Sequence, residues 1–264
     1  MRATVDIVGY REHPVPARWR GLAECLWTST PPSAPEMINV LPDGCMDLVW
    51  SGADLFVAGP DTAPHPYERT AGQAATGLRF HPGVLPALLD VPADVLRDAR
   101  VPLDVLHPAL ARRAVAAMDA GAPAAQVLTA LAARLPGAAP DPGLRSAAVR
   151  LARGGSAAEI ADDLGWTTRT LHRRCLAAFG YGPSVLRRVL RFRRAVALLQ
   201  AGVTPAEVAA RAGYADQPHL SRDVRAFAGV SPARMVPAQP AAAAPPGSSA
   251  KRSTPVPSGS RTVA

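Results

Sequence analysis

The sequence predicts an α+β protein: a small β-rich N-terminal unit, a helical connector, and a C-terminal all-α unit. The last comprises two helix-turn-helix motifs joined by a long helix. Three observations predict this. Within the C-terminal third one short unit is written twice, so that Glu159, Ala161 and Gly165 recur 48 residues later as Glu207, Ala209 and Gly213. The first eighty residues instead hold short apolar runs broken by turn residues, with no long helical period. Charge divides the same way: residues 1–140 hold 11 Lys and Arg against 14 Asp and Glu, and residues 141–236 hold 15 against 7.

A chain of 264 residues has room for two ordinary domains. The expected divisions are a β-rich unit at 1–83, a helical connector at 84–136, the double motif at 141–236 and a disordered tail at 237–264. In the first unit Met37 to Trp50 reads as a β-hairpin turning at Asp43-Gly44. A further strand covers Ala75 to Phe80. The product is a small antiparallel sheet or a partly closed barrel. Val84 to Leu89 and Ala93 to Leu96 then read as short helices. Ala109 to Asp119 and Ala124 to Leu135 read as a helical pair broken by Gly121 and Pro123. Pro136 to Pro142 is the linker, and Asp141-Pro142 caps and starts the first helix of the double motif.

Each motif opens on a capping box, Ser156 with Glu159 and Thr204 with Glu207, whose second member folds back on the cap. Pro205 sits where a helix has no N–H to lose. Gly165 and Gly213 supply the sharp turns. In the second helices Leu171, Cys175 and Phe179 form an inward stripe, answered by Leu220, Val224 and Phe227 or Ala228. Between the motifs Val185, Val189, Phe192, Val196 and Leu199 step by four and three along one buried face. Arg187, Arg188, Arg191, Arg193 and Arg194 occupy much of the rest. Eighteen helical residues span about 27 Å, comparable with the roughly 34 Å between successive major-groove faces on one side of a duplex.

The residues expected to meet DNA are Thr168, Arg169, His172 and Arg173 in the first motif, and Gln217, His219, Ser221 and Arg222 in the second. These residue types reach base edges and phosphates in a major groove. The tail, rich in Ala, Pro and Ser, cannot bury a core, and its Lys251 and Arg252 add nonspecific phosphate attraction.

The segment from Gly143 to Met235 resembles the C-terminal DNA-binding domain of the AraC/XylS family of bacterial transcription regulators. The pieces that carry the resemblance are A-D-D-L-G-W-T-T-R-T-L-H-R-R-C, F-G-Y-G-P, R-F-R-R-A-V-A-L-L, E-V-A-A-R-A-G-Y-A-D-Q-P-H-L-S-R and G-V-S-P-A-R-M. Cys175, Leu220, Val224 and Ala228 stand where that family carries aromatic residues, and Pro218 where it carries a small or polar one. Looser packing of the two recognition helices is the resulting expectation. Further upstream, P-A-R-W-R-G-L-A-E-C-L-W, N-V-L-P-D-G-C-M-D-L-V-W and G-L-R-F-H-P-G resemble a domain found ahead of such readers. In other branches that place holds a cupin-like barrel that binds effectors or dimerises.

The expectation is a sequence-specific transcription regulator whose partner is double-stranded DNA. An effector of unknown identity, a second copy of the chain and RNA polymerase are the further candidate partners. A nonspecific DNA-binding protein is the alternative, and a repair alkyltransferase using Cys45 a more distant one. Against an enzyme stand the missing nucleophile–base pair, phosphate loop and metal cluster. No cofactor and no metal is expected, and Cys25, Cys45 and Cys175 fall in no metal-binding or redox spacing. Without a membrane span or signal segment, the expected location is the cytoplasm, at the nucleoid.

Overall fold

The computed structural model describes residues 9–236; the expected tail lies outside them. The N-terminal unit is a six-stranded antiparallel sheet in the order β1-β2-β7-β4-β5-β8, with β3 and β6 paired as a separate ribbon. The strands are β1 Tyr10–His13, β2 Ala23–Ser29, β3 Glu36–Val40, β4 Met46–Trp50, β5 Leu55–Ala58, β6 His65–Arg69, β7 Ala75–Phe80 and β8 Arg100–Pro102. Alternate residues point to opposite faces of a strand. Leu48 therefore stands beside Val57 and Leu78 on one face, while its neighbour Asp47 stands beside Ala58 and Arg79 on the other.

The first face is closed by helices. These are α1 Val84–Leu89, α2 Leu103–Leu106, α3 Pro108–Asp119 and α4 Ala124–Ala132. Leu85, Leu89, Leu103 and Leu128 are fully buried in one cluster with Leu48, Val57, Leu78 and Phe80. Helices 84–89, 108–119 and 124–132 match the expected ones closely, and the expected turn at 93–96 is a 3₁₀ helix at Ala93–Val95. Residues 84–136 are not helical throughout, however. Their Arg100–Pro102 segment pairs with β5 as the edge strand β8, so the helices and the sheet share one core.

The expected hairpin from Met37 to Trp50 does not form. Its first half pairs with β6 in the ribbon and its second half with β5 and β7 in the sheet. Asp43-Gly44 is a turn, but one that crosses between sheets. The Asp43 carboxylate accepts the Cys45 N–H at 2.8 Å, a local side-chain turn that needs no strand pairing across it. Residues 41–46 are all buried, and Leu41 packs into the core of the C-terminal unit. At Gly44, with φ +80°, an added Cβ would stand 3.3 Å from Leu190.

That unit contains α5 Pro142–Ala152, α6 Ala157–Asp163, α7 Thr168–Phe179, α8 Pro183–Gln200, α9 Pro205–Ala212 and α10 Gln217–Ala228. Asp141 caps α5, as expected, by accepting the Gly143 N–H. Thr204 and Glu207 form the full capping box. At Ser156 only half of it exists: its hydroxyl accepts the Glu159 N–H, with no return bond from the glutamate. The stripe on α8 is buried at Val189, Phe192, Val196 and Leu199, and Leu186 and Ala195 join it.

Polar contacts add to the docking of this unit on the N-terminal unit. Arg193 of α8 pairs through both terminal nitrogens with Glu24 of β2, and its Nη1 lies 3.3 Å from Cys45 Sγ. Arg97 donates to the Gly180 carbonyl at 3.1 Å. Gly180 ends α7 in the left-handed region, where a Cβ would fall 2.6 Å from Pro60, so only glycine fits both the backbone and the contact.

Burial alone would raise the Glu24 carboxyl, but hydrogen bonds from His81 and Arg193, with their charges, hold it well below the usual carboxylate range. A depressed carboxylate stabilises the fold above its unfolded pKa and loses that contribution as pH falls below it. Glu24→Gln is therefore predicted to destabilise the protein by about 3 kcal/mol at neutral pH. In urea unfolding, the gap from wild type should narrow below about pH 4.5, the ordinary glutamate value. A gap of constant size across that range would show that the ion pair contributes nothing.

Candidate nucleic-acid interface

The two second helices, α7 and α10, begin on side-chain caps that sequence reasoning passed over. Thr167 accepts the Thr170 N–H at 3.1 Å, and Asp216 accepts the His219 N–H at 2.6 Å. Such caps satisfy orphan donors of the first turn and fix where each helix starts. Each helix then buries its stripe: Leu171, Cys175 and Phe179 in α7, and Leu220, Val224, Phe227 and Ala228 in α10. Cys175, Leu220 and Val224 have no exposed surface at all. The smaller side chains are thus still sealed from solvent.

Opposite the α7 stripe, Thr168, Arg169, His172 and Arg173 are all exposed. Arg169 and Arg173 lie four apart on one line of the helix. The His172 ring lies against Gly182, where an added Cβ would come within 2.6 Å of Nε2. On α10, Gln217 and Arg222 are exposed and Ser221 is half-buried. Arg225 is also exposed, and its spacing of three from Arg222 and four from Ser221 could have drawn it into the same set.

His219 differs from the others. It is half-buried, its ring stands edge-on to Tyr214, and its Nε2 lies 3.2 Å from Arg191 Nη2. Its Nδ1 faces the Ala215 N–H at 3.4 Å, and because a neutral imidazole has one accepting nitrogen, the tautomer decides which of the two contacts is a hydrogen bond. His219 is thus engaged inside the motif rather than standing free on its outer face.

The arginines of α8 also divide. Asp223, buried in α10, accepts from Arg188 at 2.9 Å and from Arg191 at 2.8 Å. Arg191 also lies over the Tyr214 ring, and Arg188 over Phe227. Burial would raise the Asp223 carboxyl, but these two arginines bring it below its ordinary value. The first motif holds a related set: Arg174 lies 4.2 Å from the centroid of Trp166 and donates to Asp141 at 3.1 Å. Arg187 and Arg194 remain exposed.

The geometry is that of two helix-turn-helix units on one shared helix, and comparison settles their kind. Residues 147–236 match the family described as Helix-turn-helix domain, across both motifs. They form an AraC-type helix-turn-helix domain. Residues 12–102 match the family described as Domain of unknown function (DUF6597). A chain bearing the AraC-type domain is a DNA-binding transcription regulator.

No curated protein matches the chain. Similar solved structures include the C-terminal domain of AraT, a response regulator from Geobacillus stearothermophilus. It is 24% identical, with a TM-score of 0.34, over 36% of this chain and 84% of that one. A probable AraC family transcriptional regulator from Rhodopseudomonas palustris is 21% identical, with a TM-score of 0.32, over 36% and 90%. ToxT from Vibrio cholerae is 10% identical, with a TM-score of 0.43, over 87% and 99%.

Other chemistry finds little support in the geometry. Cys45 is buried, and burial together with Asp43 pushes its thiol well above the ordinary value despite Arg193. That is the reverse of what a nucleophilic thiolate needs. Among the described residues no group of His, Cys, Asp and Glu could hold a metal ion, and no helix is long and apolar enough to cross a membrane.

Among the described residues Asp223 is the carboxylate that ties α10 of the AraC-type domain to α8. Asp223→Ala is predicted to cost about 3 kcal/mol of stability, because it leaves the largely buried Arg191 without its anion. Thermal or urea unfolding measures it, and a change within about 0.5 kcal/mol, typical of an ordinary surface site, would show the clamp to be idle.

Proposed function

We propose that this protein is a sequence-specific regulator that reads two successive major grooves with α7 and α10. The observation that carries this reading is the pair of exposed polar faces, Thr168, Arg169, His172 and Arg173 on α7 and Gln217, Ser221 and Arg222 on α10. Both are mounted on the rigid 18-residue helix α8. His219 supports the second face from behind by bracing Arg191 and Tyr214. Arg173 and Arg222 have no side-chain partner among the described residues, so their donors are available to bases or phosphates. The N-terminal unit, with a small cavity on the ribbon side of its sheet, senses a small molecule. The protein acts in the cytoplasm, at the nucleoid.

A specific reader keeps a gap of about 4–10 kcal/mol between its operator and other DNA, whereas a nonspecific binder loses all sequences together as salt rises. Selection from a random DNA pool with the full-length protein near physiological salt should recover two contact blocks about one helical turn apart. Arg173→Ala and Arg222→Ala should each weaken operator binding by about 1–3 kcal/mol and relax choice at one or two base positions, in different blocks. Recovery of no motif, or unchanged selectivity in both variants, would overturn this assignment. Cys45→Ser should preserve operator choice and any transcriptional response; loss of the response in a folded variant would restore the cysteine to a signalling role.

A further inference from the structure

The face of the sheet turned away from the helices is roofed by the β3–β6 ribbon, and between them lies a cavity of about 100 Å³. Four aromatic rings line it: Tyr10, Trp27, Phe56 and Tyr67. The remaining wall is aliphatic except for Ser29 and one patch of charge from Asp47, Arg69, Arg79 and Arg100.

Two of those arginines are fully engaged. Arg100 holds Asp61 through both terminal nitrogens, and Arg69 pairs with Glu36, Ser29 and the Thr30 carbonyl. Arg79 is different. It is 8% exposed, and its Nε and Nη1 have no hydrogen-bond partner among the described residues. Three carboxylates surround it, Asp47 at 3.4 Å, Asp43 at 3.5 Å and Glu12 at 3.7 Å, near enough to balance its charge but beyond good hydrogen-bond length. Buried donors left unbonded are uncommon and call for an acceptor. Asp47 accepts the Trp27 Nε1–H through one oxygen at 2.6 Å.

Charge and size together restrict the occupant. An anion would bring one more negative charge to a guanidinium that already faces three carboxylates. A cation would meet Arg69, Arg79 and Arg100. An uncharged group that accepts from Arg79 and donates to Asp47 meets neither objection. An apolar cavity of about 150 Å³ accommodates benzene, so the present one has room for a single ring at most. We propose that this cavity binds a small uncharged aromatic molecule bearing a hydroxyl group, a simple phenol, with its ring among Tyr10, Trp27, Phe56 and Tyr67 and its hydroxyl at Arg79 and Asp47. This proposal rests on the reading of the N-terminal unit as a sensor and names the ligand class.

Calorimetry on the full-length protein tests it with four probes: phenol, toluene, benzoate and benzylamine. Phenol should saturate one site and bind about tenfold more tightly than toluene, the worth of one buried hydrogen bond. Benzoate and benzylamine should not saturate. Ala75→Leu and Ala58→Leu each fill the cavity from a different strand, and either variant that keeps the wild-type circular dichroism should bind phenol about tenfold more weakly or worse. Phenol binding unaffected by both fillings would overturn the site. A charged probe that binds and is displaced by the fillings would overturn the ligand class while leaving the sensor reading intact. If no probe of any charge binds in the cavity, both are overturned, whereas operator selection by the DNA-binding domain would be unaffected.

Discussion

The arginines of α8 are the constraint on which much of this structure turns. A guanidinium removed from water must be matched by an anion and hydrogen-bonded, or the fold bears a penalty of several kcal/mol. Arg191 meets Asp223 on α10 and Arg193 meets Glu24 on β2, while Arg188, itself exposed, joins Arg191 at Asp223. The helix that forms the common core of the two motifs is therefore also tied to the second motif and to the sheet by charge. The burial of its apolar stripe holds the layers together, and the ion pairs fix their angular position. Arg187 and Arg194, with no ion-pair partner among the described residues, lie at the surface.

The double motif was legible in the sequence because its signals are local. Capping residues, turn glycines and stripes spaced by three and four act within a turn or two of helix, and the structure follows them almost residue by residue. What the arginines of α8 do was not legible. Arg193 meets an acid 169 positions away, and nothing in a helical repeat distinguishes it from Arg194 beside it. The place of His219 on its helix likewise says nothing of the Tyr214 ring and Arg191 that engage it. The Asp43-Gly44 turn shows the opposite failure. A sound local signal for reversal of the chain was correct about the turn and wrong about the pairing, because a turn residue specifies backbone angles and not which strands flank it. β8, only three residues long and ending in proline, carried no period to detect.

The same division of local and distant information runs through the two faces of the sheet. On the helix side, Leu48, Val57, Leu78 and Phe80 obey simple alternation, and any apolar residue of similar volume would serve. On the ribbon side, the alternate positions hold Asp47, Phe56, Ala58 and Arg79, a set with no purely structural economy. Replacing a buried charge cluster with well-packed apolar residues is often neutral or stabilising. Keeping one here therefore argues for a use, and Arg79 narrows where that use lies. It lines the cavity, its Nε and Nη1 lack hydrogen-bond partners among the described residues, and its carboxylate shell extends through Asp43 to the loop whose Cys45 touches Arg193. The charged groups of the cavity and those of α8 are thus neighbours through one buried turn. Contact alone does not make coupling, but it sets where coupling would have to act: the 41–46 turn, which carries both the acid facing Arg79 and the thiol against Arg193.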